Sequence, residues 1–195
     1  MAVNFVKYPN REQRVKMQNR TLTGMEPDRK IWFSMWFLGS IASFGFAFFP
    51  MFYFSVERRN GHFRRQVEFE QRVAVFFNKD WQATSIPDRN AKLWGASIIL
   101  VFPVFAIMYL LSKDLLLHEK RQRDFLNVFL PSWNYMPQSI SIRKHALITV
   151  VTLGFGLIYW LYRVVNLYNN HFKEQRHIEY EIGKLMEAKT HVEPV

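Results

Sequence analysis

Three histidines, His62, His118 and His171, are the residues of this chain best suited to chemistry. Each sits in a similar polar segment: NGHFRRQ (60–66), LHEKRQ (117–122) and NNHFKEQ (169–175). Imidazole can ligate a metal or carry a proton. The chain has six histidines and no cysteine, so disulfides, thiolate metal sites, iron–sulfur ligation and thiol nucleophiles are excluded. Local spacing does not favour a metal. No His-x3-His or His-Glu-x-x-His pattern occurs, and the neighbouring acids Glu68, Glu119 and Glu174 stand at different positions. His171 and His177 are six apart and face different sides of a helix. Neither a phosphate loop nor a G-x-S-x-G elbow is present. The expectation is no catalytic residue, no metal and no cofactor, with the histidines bridging packed helices.

Hydropathy sets the elements that must position these residues. Ile31–Phe54, Leu93–Leu111 and Ala146–Tyr162 are runs of 24, 19 and 17 residues without a charge. About 20 apolar residues span the ~30 Å hydrocarbon core of a bilayer as a helix. The runs therefore predict three transmembrane helices of an all-α, multi-pass integral protein of the cell membrane. Trp32, Trp36, Trp94, Tyr109, Trp160 and Tyr162 fall near the run ends, as an aromatic belt would. Pro50 and Pro103 lie inside the runs and imply kinks. No charge lies within a run, which argues against a pump or coupled transporter acting alone.

The runs belong to a repeat. Displacing the chain by 109 positions matches nine of the 28 residues from Ser43 to Glu70, among them Gly45, Phe46, Tyr53, Asn60, His62 and Gln66. Displacing it by 56 matches seven, among them Phe46, Tyr53, His62, Gln66 and Phe69. The chain reads as a triplicated unit: a polar N-terminal segment (1–26), unit one (27–86), unit two (87–136), unit three (137–182) and a C-terminal tail (183–195). Helical spacing predicts that each unit is one long helix, crossing the membrane and continuing as a charged extramembrane helix. Packing and docking residues would be Phe46, Tyr53, His62, Gln66 and Phe69 in unit one. Their counterparts are Phe102, Tyr109, His118, Gln122 and Phe125, then Phe155, Tyr162, His171, Gln175 and Ile178.

The formal net charge is +10. The basic residues Arg58, Arg59, Arg64, Arg65, Lys120, Arg121, Arg123 and Lys173 predict contact with anionic lipid or an acidic partner, and structural lipid is expected. No nucleic-acid reading motif or basic groove is seen. Lysines and arginines do not orient the chain. Single spans alternate in direction, and each side of the membrane would receive 13 of them.

The third unit, TLGFGLIYWLYRVVNLYNNHF (152–172), resembles small prokaryotic membrane proteins of unknown function, which carry a G-x-x-Y-x-x-x-Y-R-like span exit followed by Asn and His. The layout of few spans, many aromatics and basic outer helices is similar to the small non-catalytic subunits of archaeal ammonia monooxygenase. The resemblance implies an accessory subunit with no reaction of its own. The expected function is thus a non-catalytic membrane subunit that scaffolds a multi-subunit enzyme, packed on other integral membrane subunits. The alternatives are a repeat-built transporter or channel-like oligomer, and a membrane-anchored binder of anionic lipid or an acidic protein.

Overall fold

The computed structural model describes residues 28–99 and 101–192, without the side chains of 99, 101, 102, 191 and 192. The expected segment 1–26 and the side chain of Phe102 therefore lie outside the described residues. Among those described, every regular element is helical: α1 (Phe33–Ala42), α2 (Phe48–Phe77), α3 (Ala91–Ala96), α4 (Val101–Phe129), α5 (Ile142–Val151) and α6 (Gly156–Val192), with one 3-10 turn at Ser97–Ile99.

No helix among the described residues is long and apolar enough to cross a membrane. This overturns the expectation of three transmembrane helices in a multi-pass membrane protein. The apolar runs have the composition of spans, but each is cut into a short helix and the start of a long one. The cuts at the first and third runs are the same structure. At the end of α1, Gly45 N–H donates to Ser40 O (2.6 Å) and Phe44 N–H to Ile41 O (3.3 Å). At the end of α5, Gly154 N–H donates to Thr149 O (2.8 Å) and Leu153 N–H to Val150 O (3.1 Å). These paired bonds are a Schellman cap, which requires left-handed backbone, and Phe44, Gly45, Leu153 and Gly154 all have positive φ. The chain then folds back: a Cβ on Gly156 would lie 2.8 Å from Thr149 backbone atoms. Pro50 and Pro103 fall in the first turns of α2 and α4, where a missing N–H costs nothing. They mark helix starts, not kinks.

The chain divides into two compact units. The larger comprises 28–63 and 86–173. Within it, parts of α2, α4 and α6 run parallel, because residues further along one helix meet residues further along the next. Arg59 meets Asp114 and His62 meets His118, while Arg58 meets Val165 and His62 meets His171. Ser112 meets Trp160 and Glu119 meets His171. The alternating directions expected for three spans are thereby corrected. Parallel order is possible because the segment 130–141, a turn at 131–132 followed by irregular chain, runs back beside α4. Gln138 N–H reaches Glu119, ten residues before the end of α4, so the segment retraces part of that helix before α5 begins.

Polar clamps hold each leading segment to one of the long helices. Asn60 accepts from Arg89 N–H (3.1 Å) and donates to Arg89 O (2.7 Å). Its repeat counterpart Asn169 accepts from Ile31 N–H (3.3 Å) and donates to Ile31 O (2.8 Å). Glu119 plays this part for the third segment, accepting from Gln138 N–H (2.9 Å). Thus α2 holds the chain at Arg89, α4 holds it at Gln138, and α6 holds it at Ile31. Apolar packing of Met51, Phe52, Ile107, Leu111, Trp160 and Leu161 forms the core.

The smaller unit includes 64–85 and the described residues from 174 onward. Gln175 donates to Gln66 (2.6 Å), Trp81 donates to Glu70 (2.8 Å), and Phe69, Phe76, Ile178 and Met186 are buried. The helix α6 continues to Val192.

Candidate metal centre

The three repeated histidines meet. His62 Nε2 lies 2.9 Å from His171 Nε2 and 3.3 Å from His118 Nε2. The ligand-capable atoms of all three lie within 4.8 Å of one another. All three side chains are buried. Each comes from a long helix at the same position of the repeat, so the parallel order of α2, α4 and α6 is what brings them together.

The outer nitrogens are fixed by carboxylates. His62 Nδ1 is 2.8 Å from Asp28 Oδ2, and His171 Nδ1 is 2.7 Å from Glu119 Oε1. A carboxylate accepts, so each Nδ1 carries the proton and donates it. The carboxylate of Glu119 is itself held by Tyr135 O–H (2.5 Å) and Gln138 N–H (2.9 Å) at its other oxygen. A neutral imidazole protonated at Nδ1 presents a lone pair at Nε2. His62 and His171 therefore direct two lone pairs at each other across 2.9 Å. That contact repels unless a cation lies between them.

Either a proton or a metal ion can supply that cation. Burial, first, and then the neighbouring His171 and Arg58 hold His62 well below the usual histidine range. Burial, His171, His62, Arg121 and Arg59 do the same to His118. A metal ion fits the three converging donors. Zinc–imidazole bonds of ~2.0–2.1 Å in a tetrahedron place ligand nitrogens about 3.3 Å apart, the separation of His62 and His118 and somewhat more than the 2.9 Å between His62 and His171. A ligating histidine commonly donates its other N–H to a carboxylate, which fixes the tautomer and raises basicity. Aromatic rings close the flanks: Phe63 stacks on His118 and Phe172 lies against His62, each with centroids 4.6 Å apart.

Arg59 is also buried. It pairs with Asp114 (2.9 Å), which Arg89 grips through Nε (2.6 Å) and Nη2 (2.8 Å). Burial above all lowers the Arg59 pKa, and the bond to Asp114 raises that of Arg89. Arg58 donates to Asn169 Oδ1 (2.7 Å) and packs over the rings of Tyr168 and Phe172. Burial lowers its pKa to about 10.

The remaining residues singled out in the sequence divide by environment. Gln66, Phe69, Gln122, Phe125, Gln175 and Ile178 are buried, like the histidines. Tyr109 and Tyr162 are exposed and Tyr53 is half-buried, while Phe46 and Phe155 stand in solvent. Among the basic residues Arg58 and Arg59 are buried, Arg65 and Arg121 are half-buried, and Arg64, Lys120, Arg123 and Lys173 are exposed. Sequence spacing missed Asp28 and Asp114, marked Asn169 only as a repeat match, and discounted Glu119. The recurring Asn60/Asn169 and the PDR segments at 27–29 and 87–89 were the available signals. No family model, curated protein or solved structure matches the chain.

Proposed function

We propose that this protein is a non-catalytic helical scaffold closed by one divalent transition-metal ion bound to His62, His118 and His171. The observation that carries the reading is the pair of Nε2 atoms 2.9 Å apart whose Nδ1 protons are both committed to carboxylates. Three nitrogen donors without thiolate suit zinc, copper, nickel or cobalt over magnesium or calcium. Burial of the ligands and the rings packed on them favour a structural ion over one that exchanges substrate. Tying three helices at one point, each through a ligand 53 or more positions from the next, would lock the parallel order that the chain connectivity alone leaves weakly specified. The scaffold role retains the expectation of an accessory subunit, without transmembrane helices.

Elemental analysis of the full chain purified without chelator tests the reading. About one transition-metal ion per chain is expected, and cobalt substitution should give visible absorption of tetrahedral intensity. A folded protein that neither retains nor takes up metal would remove the proposal and leave three histidines sharing a proton.

A further inference from the structure

The larger unit carries a second feature that the metal does not explain. Its hairpin tips present apolar side chains to the outside: Phe44 is 96% exposed and Leu153 92%. Both occupy the left-handed position of a Schellman cap, at φ 50°, where glycine is usual. A bulky residue there is strained. The end of α2 shows the ordinary alternative, with Asn78 at φ 51° and the same paired bonds from Lys79 to Ala74 and Asn78 to Val75. Asparagine tolerates that backbone; phenylalanine and leucine do not. Strained backbone that places apolar side chains in water suggests that something other than water meets them.

Beside the first hairpin lies a cleft of about 320 Å³. One side is apolar, formed by Trp32, Phe33 and Tyr162, with Phe33 and Tyr162 edge to face at 5.5 Å. The other side carries Lys30, Lys173 and Asn170, and no acidic residue among those described lines the cleft. Behind it, Asn169 accepts from Arg58. Arg58 is a buried guanidinium with no carboxylate partner among the described residues, and its Nε has no hydrogen-bond partner there. The cleft thus offers positive charge and amide donors at one end and an uncharged aromatic wall at the other.

We infer that this cleft binds the phosphate headgroup of an anionic phospholipid whose acyl chains lie along the exposed face of the first hairpin. Phosphate would sit between Lys30 and Lys173, with Asn170 as a further donor. The chains would follow Met35, Leu38 and Ile41, each more than 60% exposed, towards Phe44. Ten helical residues measure about 15 Å, half of the ~30 Å hydrocarbon thickness. The hairpin therefore reaches into one leaflet and crosses nothing. The inference is independent of the metal.

Flotation of the full chain with vesicles tests it. Phosphatidylcholine vesicles containing phosphatidylglycerol should bind at least about tenfold more tightly than phosphatidylcholine alone. The double variant Lys30→Glu/Lys173→Glu should lose that preference while keeping its metal content and melting temperature. Phe44→Ser/Leu153→Ser should weaken binding to both vesicles and keep the preference. Inorganic phosphate should compete only weakly. Equal binding to the two vesicle types, full preference in the lysine variant, or saturable binding of inorganic phosphate without vesicle binding would each overturn the inference. So would a stable dimer that buries the tips and ignores vesicles.

Discussion

The histidine layer and the hairpin tips are both repeated features of the same unit, and they break the same rule in opposite directions. At the layer, three polar rings are 0–5% exposed. At the tips, Phe44 and Leu153 are more than 90% exposed. Each reversal carries a local cost. Opposed lone pairs lack a cation in one case, and left-handed backbone under a bulky side chain is strained in the other. In the readings proposed above, each cost would be met by an occupant from outside the chain, an ion at the layer and lipid at the tips. The comparison teaches that repetition fixes where a residue sits along the axis of the bundle. Whether it faces in or out is decided by what it can bind.

The largest effect expected is at the layer. Chelation of the ion, or His171→Ala, should destabilise the fold by about 4 kcal/mol, the linkage expected for a ligand held at ~1,000 times its Kd. Urea unfolding with and without chelator measures it. The two treatments should not add, because they remove one interaction. Additive losses would separate the histidine from the ion and break the comparison.

Asp114→Asn comes next. The carboxylate faces both Arg59 and Arg89, and Arg59 is wholly buried. Removing the charge leaves a buried guanidinium uncompensated, at a cost of about 3 kcal/mol. Metal content should not change, so thermal unfolding and elemental analysis together distinguish this clamp from the layer. Glu119→Gln should act on the metal itself. It keeps the shape of the side chain but weakens the acceptor for His171 Nδ1, and metal affinity should fall about 10–100-fold. Competition with a chromophoric chelator reads that change. An unchanged affinity would make Glu119 only a clamp for the 130–141 segment.

Much of this architecture is legible in the sequence, and the failures have identifiable physical causes. The repeat is visible because Asn60/Asn169 and His62/His118/His171 recur at fixed displacement. The long helices are visible because His62, Gln66 and Phe69 keep one face. The metal-type cluster is hidden because its ligands come from three helices and no local pattern encodes them. Reading the runs as spans hid it further: alternating directions would have placed His118 on the opposite side of a membrane from His62 and His171. The runs mislead because hydropathy counts composition and ignores chain reversal. Ser43–Phe44–Gly45 and Thr152–Leu153–Gly154 end their helices through hydrogen bonds to α1 and α5, in residues as apolar as their neighbours. Pro50 and Pro103 were the sequence's own punctuation, since a proline is as compatible with a new helix as with a kinked old one.

The smallest effect should be the most discriminating for the tips. Phe44→Gly removes the side chain from a left-handed position and releases strain of ~1–2 kcal/mol, partly offset by the added freedom of glycine in the unfolded chain. The net expectation is a stabilisation of about 0.5–1 kcal/mol in buffer, or a few degrees in melting temperature. The same substitution should weaken vesicle binding, because it deletes an apolar side chain that is otherwise in solvent. A residue kept for packing would behave differently, losing stability when truncated and leaving binding alone. Asn78→Gly provides the control at the end of α2: the backbone is the same but the native residue already tolerates it, so stability should change by only a few tenths of a kcal/mol and vesicle binding not at all. If Phe44→Gly destabilises the protein, Phe44 makes contacts that support the fold, and the contrast between an inward layer that binds an ion and outward tips that bind lipid loses its second half.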